Sequence, residues 1–355
     1  MSEIVKNISN AFGASGFEEE VRQVARDYTK DFADTRTDKI GNLYLNYKDS
    51  DMDRPFHILL DAHQDEVGFM IHAVRPNGML EFIPMGGWVT SNIPAHLMII
   101  QTRSGKKIKG ITASTPPHFM TEADRKKPLD IDDLVIDVGA CSAEEVAEMG
   151  IEIGNPVVPD VTFETMRDGA VFMGKGFDCR IGCACLLDTM AEFAKDYEKA
   201  AFDLTGALSV QEEVGVRGAK IVANQVPADL AIVFEGAPAD DTFTPEYKIQ
   251  TGLGRGPMLR HIDAGMITHA GFINYAIEMA EKHGIAIQRS VRKGGSTNGA
   301  IYHLAQKGIP TIVISIPVRY AHTHYGYVAR EDYEQAKNLA VAILRDMNQS
   351  TFEAL

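Results

Sequence analysis

The stretch His57-Ile-Leu-Leu-Asp-Ala-His63-Gln-Asp65-Glu66 is an apolar run that ends in side chains able to bind cations. Its length and composition mark a buried strand over His57–Ala62, with the polar cluster just past its carboxyl end. Three more runs repeat the arrangement. Ala207-Leu-Ser-Val leads into Gln211-Glu212-Glu213, and Leu230-Ala-Ile-Val-Phe leads into Glu235. Ile312-Val-Ile-Ser-Ile-Pro continues through Val318-Arg-Tyr-Ala into His322-Thr-His324. In open α/β sheets, ligands collect outside the carboxyl ends of the strands. A single His after a strand is commonly a surface histidine, and a single carboxylate there commonly caps the next helix. Four such ends together point to one shared site, because a core has little use for acids and imidazoles converging on one edge.

A fifth candidate is Asp178, in Gly174-Lys-Gly-Phe-Asp178-Cys-Arg180, between a short strand and a helix start. A carboxylate gains from the helix dipole there, whether it caps the helix or bridges two ions. Two His, a bridging Asp and two further carboxylates make a donor set for a pair of zinc-like ions. Two such ions acidify a shared water and polarise a carbonyl, and a general base is still needed to move the proton. The adjacent Glu212 and Glu213 can divide that labour, one ligating while its neighbour faces the water. Asp65, two residues past His63, is placed to support the imidazole from behind or to shape its loop.

The rest of the chain supports an α/β fold. A helix with a break is expected over about 1–30, with Ser15 as a cap, followed by extended runs around Asn42–Tyr47 and Val67–Val74. From there to about Asp160 short apolar runs alternate with Pro- and Gly-containing turns, which reads as a small β-rich unit. Strands and helices then alternate to the end: Ala170–Met173, Leu204–Val210 and Thr311–Ile316 extended; Ile181–Tyr197, Thr268–Lys282, Ala300–Gln306 and Asp332–Met347 helical. The simplest assembly is one α/β domain, 1–74 and 161–355, interrupted by a β-rich insertion at 75–160.

Composition narrows the function classes. The chain has 355 residues, of which 45% are hydrophobic and 24% charged, enough apolar material for a core of this size. The 35 basic and 49 acidic residues give a formal net charge of −14. Such a surface repels phosphate backbones and anionic headgroups, so neither nucleic acid nor a membrane is an expected partner. No apolar run reaches the length of a spanning helix, and Met1–Gly13 lacks a basic start followed by an apolar core. A cytoplasmic protein is expected. The four cysteines, Cys141, Cys179, Cys183 and Cys185, form no CxxC pair and are read as reduced, packed side chains.

These residues together resemble the M42 metallo-aminopeptidases, the group of glutamyl aminopeptidase, the tetrahedral (TET) aminopeptidases and the cellulase M-like proteins. The resemblance lies in Ser15-Gly-Phe-Glu, Asp38-Lys-Ile-Gly-Asn42, Asp61-Ala-His63-Gln-Asp65-Glu66-Val-Gly-Phe and Pro116-Pro-His118. It continues in Gly174-Lys-Gly-Phe-Asp178-Cys-Arg180-Ile-Gly-Cys183, Gln211-Glu212-Glu213-Val-Gly-Val-Arg217-Gly-Ala and Arg319-Tyr-Ala-His322-Thr. The motifs stand in family order and span nearly the whole chain.

The resemblance implies a three-layer αβα metallopeptidase domain of the zinc-exopeptidase type, with an inserted barrel-like dimerisation domain. It implies that His63 and Glu235 hold one ion, that Glu213 and His322 hold the other, and that Asp178 bridges. Glu212 would be the general base, with Asp65 assisting. The ions would be zinc or cobalt, with manganese suited to the same donors. The substrates would be peptides losing N-terminal residues, and the assembly a homo-oligomer, either a dimer or a dodecamer of dimers.

Two positions depart from the family pattern: Glu235 where Asp is usual, and Asn298 in Gly294-Gly-Ser-Thr297-Asn298-Gly where an Asp is expected. Glu235 reaches further by a methylene, and Asn298 brings no negative charge. An alternative on the same scaffold is an amidohydrolase or deacylase acting on N-acylated amino acids or blocked peptides. A polysaccharide hydrolase fits less well, since it needs two carboxylates flanking a sugar bond and the acids here are committed to ions.

Overall fold

The computed structural model describes residues 2–48, 50 and 52–355. Three strands come first: β1 (Ala33–Thr37), β2 (Leu43–Tyr47) and β3 (Phe56–His63). Six follow in the insertion: β4 (Gly68–Val74), β5 (Leu80–Met85), β6 (Leu97–Gln101), β7 (Lys107–Ala113), β8 (Val135–Asp137) and β9 (Pro156–Pro159). The remainder are β10 (Glu164–Met166), β11 (Val171–Gly174), β12 (Phe202–Ser209), β13 (Leu230–Pro238), β14 (Met258–Ile262), β15 (Gln288–Val291), β16 (Thr311–Val318) and β17 (Gly326–Ala329).

Eight of these form one sheet in the order β1-β2-β12-β3-β13-β16-β14-β15. Its centre is parallel: β12 and β13 flank β3, and β16 pairs with β13. Every residue of β3, β12 and β16 is buried. That is why these segments read as continuous apolar runs, since a parallel strand covered on both faces needs apolar side chains in both directions.

The alternation of side chains sorts these strands between two cores. Ile58, Leu60, Ile232, Phe234, Ile312 and Ile314 pack into one large cluster. It is roofed by helices Ser2–Asn10, Glu19–Thr29, Phe177–Phe193, Ala270–His283 and Arg330–Asp346. Leu59, Ala231, Val233 and Val313 point the other way, onto Ala219, Val222 and Ala223 of helix Arg217–Gln225 and Tyr302 of helix Gly299–Tyr302. Helix, sheet and helix therefore form three layers. The second face carries the shorter roof, and Asp61, His63 and Glu235 share its odd-numbered parity.

The insertion closes into a barrel of order β4-β5-β8-β7-β6-β9 around Phe69, Ile71, Phe82, Met98, Ile100 and Ile136. Its first strand starts at Gly68, ahead of the boundary at 75 read from the sequence. Strands β10, β11 and β17 make a small antiparallel sheet. Among the described residues no helix is long and apolar enough to cross a membrane.

Two local expectations need correction. Ser15 caps no helix. The second helix starts after Glu18, and the Ser15 hydroxyl donates to Asp65 Oδ2 at 2.6 Å. The helix read over Ala300–Gln306 is only the turn Gly299–Tyr302.

A buried ionic knot ties the N-terminal segment to the site. Glu66, Lys175 and Arg180 are all nearly inaccessible. Glu66 Oε1 accepts from Lys175 Nζ and from Arg180 Nη2 at 3.2 Å. Arg180 also donates to the carbonyls of Ile8, Ala11 and Gly13. Lys175 and Arg180 bracket Asp178 in sequence, so the knot fixes the turn that carries it. Removing one member leaves buried charge uncompensated, at a cost of about 3–5 kcal/mol. Glu66→Gln is therefore expected to lower unfolding stability by about that amount in urea titrations. A loss below about 1 kcal/mol, as for an exposed pair, would contradict the assignment.

Candidate active site

The polar strand ends meet. His63 closes β3, and Glu235 sits on β13 with its Oε1 3.5 Å from His63 Nε2. Asp178 lies at the start of helix Phe177–Phe193. Its Oδ1 is 3.1 Å from His63 Nε2, and its Oδ2 is 3.2 Å from His322 Nε2. Glu213 Oε2 is 3.4 Å from His322 Nε2. Glu212 Oε2 lies 3.9 Å from His63 Nε2. The six side chains His63, Asp178, Glu212, Glu213, Glu235 and His322 line one cavity of about 480 Å³.

Asp65 stands behind this group and is fully buried. Its Oδ1 is 3.3 Å from His63 Nδ1 and accepts the backbone N–H of Glu212 at 2.9 Å. Its Oδ2 accepts the backbone N–H of Glu213 at 3.2 Å. One carboxylate thus holds the backbone of both glutamates and lies against the ring of His63. Asn42 adds to this, because its Oδ1 accepts from Val210 N just upstream of them. Gln211 and His322 hold φ of +55° and +59°, a conformation that costs non-glycine residues free energy and tends to persist at functional sites.

The barrel reaches the site through Gly86 and Gly87. The Gly87 carbonyl is 2.8 Å from His322 Nδ1. A carbonyl only accepts, so Nδ1 carries a proton, and Nε2 faces Asp178 and Glu213. A Cβ on Gly87 would press to 3.2 Å from that Nδ1, and one on Gly86 to 3.2 Å from Glu213 Oε2. Neither glycine carried a signal in the sequence, since their partners lie on other elements.

The charge is unbalanced. Among the described residues, Asp65, Asp178, Glu212, Glu213 and Glu235 find ion-pair partners only in the two histidines. Burial, together with the charges of Glu235, Asp178 and Asp65, pushes Glu212 up to about 8. Burial and Asp178 raise Glu213 well above the usual carboxylate range. Against its own burial, His322 is pushed up to about 10 by Asp178 and Glu213.

Such a group accepts cations readily, and the donors fit. Glu213 Oε1 is buried with no hydrogen-bond partner among the described residues. Donor atoms of His63, Asp178 and Glu213 lie within 4.8 Å of one another. So do donors of His63, Cys179 and Glu235. Imidazole and carboxylate are the ligands zinc, cobalt and manganese use. Cys179, read from the sequence as packing, is thus within ligand reach, although its Sγ donates to Phe234 O at 3.2 Å and burial pushes its thiol well up.

Other sequence candidates lie outside the cavity. Asn298 is buried beneath the strand ends, where its Nδ2 donates to Asp61 Oδ2 at 2.6 Å and Ser209 Oγ at 2.7 Å. Tyr302 donates to the other Asp61 oxygen at 2.8 Å. An Asp at 298 would set a carboxylate against Asp61, whereas Asn supplies the donor that Asp61 needs. His118 is exposed on the barrel.

The sequence profile of the M42 glutamyl aminopeptidase family matches residues 41–339. The chain is 33% identical over 352 residues to the glutamyl aminopeptidase of Lactococcus lactis subsp. cremoris, covering 97% of this chain and 96% of that one. It is 31% identical over 355 residues to the lysyl aminopeptidase of Pyrococcus furiosus, covering 99% and 98%. Its fold matches the crystal structure of a TET aminopeptidase from a marine sediment archaeon, Thaumarchaeota archaeon, with a TM-score of 0.94 and 34% identity over 99% of this chain and 98% of that one. The chain belongs to the M42 glutamyl aminopeptidase family.

Proposed function

We propose that this protein is a two-metal aminopeptidase that removes N-terminal residues from peptides. The observation that carries this is Asp178, whose two oxygens face His63 and His322 separately. Asp178, His63 and Glu235 would hold one ion, and Asp178, Glu213 and His322 would hold the other, with zinc or cobalt the expected metals and manganese suited to the same donors. When bound, the ions supply Lewis-acid polarisation of the scissile carbonyl and acidify the attacking water.

The protein side chains do the rest. Glu212 is the one cavity carboxylate left without a ligand role. It takes the proton from the water and returns it to the leaving amine nitrogen. Asp65 positions Glu212 and Glu213 through their backbone N–H groups and orients His63, so it acts through others and not on substrate. The Gly87 carbonyl holds His322 in the tautomer that presents Nε2. Membership of the M42 glutamyl aminopeptidase family favours an aminopeptidase over a deacylase.

The barrel is the proposed dimerisation unit. Val89, Leu97, Ile111, Phe119 and Ile153 are large apolar side chains exposed on this unit, as a surface that meets a second copy would carry. The setting we propose is a homo-oligomer, a dimer or a dodecamer of dimers, acting on peptides in the cytoplasm.

Chelation is expected to abolish hydrolysis of aminoacyl-p-nitroanilides, and zinc, cobalt or manganese to restore it. The N-acetylated counterparts should stay uncleaved. Chelator-insensitive turnover, or preference for the acetylated series, would contradict the proposal. Glu212→Gln should lower kcat by about 10²–10⁴-fold while the melting temperature holds. Undiminished turnover would remove Glu212 from its role.

A further inference from the structure

One donor at the carboxylate cluster has no part in the scheme above. Cys179 is closed off from solvent, and His63 and Glu235 are nearly so. Donor atoms of these three residues lie within 4.8 Å of one another. A zinc ion bonds sulfur at about 2.3 Å and nitrogen or oxygen at about 2.0–2.2 Å, so small side-chain rotations bring donors of that separation onto one ion. The cysteine is therefore one of a group, and the other two members already belong to the proposed ion site.

Close backbone approach puts the thiol there. Asp178 and Cys179 have non-helical backbone angles and form the turn that opens helix Phe177–Phe193. Gly236, next to Glu235 on β13, lets this turn press against the strand, since a Cβ there would collide with Phe177 O and lie 2.9 Å from Asp178 Cα. Gly182 leaves the space that Sγ occupies, since a Cβ there would collide with it. The turn thus carries two donors side by side. Asp178 meets His63 and His322, and Cys179 comes within reach of His63 and Glu235. Cys183, one helical turn further on, differs. Its Sγ donates to His63 O at 3.0 Å, and among the described residues it belongs to no such donor group. The Cys179 thiol gives its hydrogen to a neutral carbonyl, Phe234 O at 3.2 Å. A thiol–carbonyl bond is weak, so little is lost when the sulfur turns to a cation.

We propose that Cys179 is a ligand of the ion assigned to His63, Asp178 and Glu235, and that it makes this half of the pair selective for zinc. The inference rests on the two-metal site proposed above. On binding, a sulfur–metal bond forms, the S–H bond breaks and its proton leaves to water, with no change of oxidation state. The other half, Asp178, Glu213 and His322, offers only imidazole and carboxylate. Thiolate selects zinc, whereas carboxylate donors suit manganese as well. The two halves are therefore unequal. The first takes zinc and keeps it, and the second exchanges among zinc, cobalt and manganese.

The test is zinc-edge X-ray absorption of the whole protein loaded with one and then two equivalents of zinc. At one equivalent the wild type should show one sulfur at about 2.3 Å beside nitrogen and oxygen at about 2.0–2.2 Å. At two equivalents the sulfur count per zinc should halve. Cys179→Ala should abolish the sulfur shell and Cys183→Ala should leave it. The nearly isosteric Cys179→Ser serves where the alanine variant fails to fold. Cys179→Ser should also lower the ratio of zinc to manganese affinity by about 10- to 100-fold, read by competition with a chelating dye. Two bound zinc ions surrounded by nitrogen and oxygen alone would overturn the thiolate ligand and leave the two-metal site intact. A sulfur shell that survives loss of the Cys179 thiol would overturn it in the same way. Failure to bind zinc at all would overturn the two-metal site, and the thiolate ligand with it.

Discussion

Mutual repulsion among buried carboxylates is the constraint around which this molecule is built. Two like charges 4 Å apart near a protein surface repel by about 4 kcal/mol. Several such pairs together rival the ~5–15 kcal/mol that holds a domain folded. Asp178, Glu212, Glu213 and Glu235 are nevertheless gathered in one cavity, with Asp65 directly behind them. The gathering is tolerable only if protons or metal cations sit among the acids. The raised values of Glu212 and Glu213 are that demand expressed in protons.

The scaffold meets the cost by separating stability from chemistry. One face of the sheet is roofed by five helices and the larger apolar cluster. The other is roofed by two short helices, and on this side the odd-numbered residues of β3 and β13 emerge at the cavity. Stiff parallel strands fix His63 and Glu235. Turns held by Asp65 and by the Glu66–Lys175–Arg180 knot fix the glutamates and Asp178. The barrel contributes a carbonyl that orients His322, so the insertion takes part in building the site.

How much of this was legible in the sequence follows from the same physics. Strands β3, β12, β13 and β16 are covered on both faces, so they stand out as apolar runs, and their polar ends were visible with them. Edge strand β1 is Ala-Asp-Thr-Arg-Thr, largely exposed, and has no pattern to find. Strand β10 is three exposed residues, and β14, Met-Leu-Arg-His-Ile, is buried at its start but too short and too polar to stand out as an apolar run. Ser15 looked like a cap because Ser before acidic residues commonly is one, but its partner, Asp65, lies fifty residues away. Asn298 looked like a lost charge, and its meaning depends on Asp61, which only the fold brings beside it.

The central claim is that this cluster holds two divalent ions bridged by Asp178, and anomalous X-ray diffraction at the zinc edge, from crystals grown with excess zinc, tests it most directly. The account predicts two peaks per chain, both at about 2.0–2.2 Å from Asp178 oxygens. One should be shared with His63 and Glu235, and the other with Glu213 and His322. A single peak, or peaks that leave Asp178 uncoordinated, would contradict it.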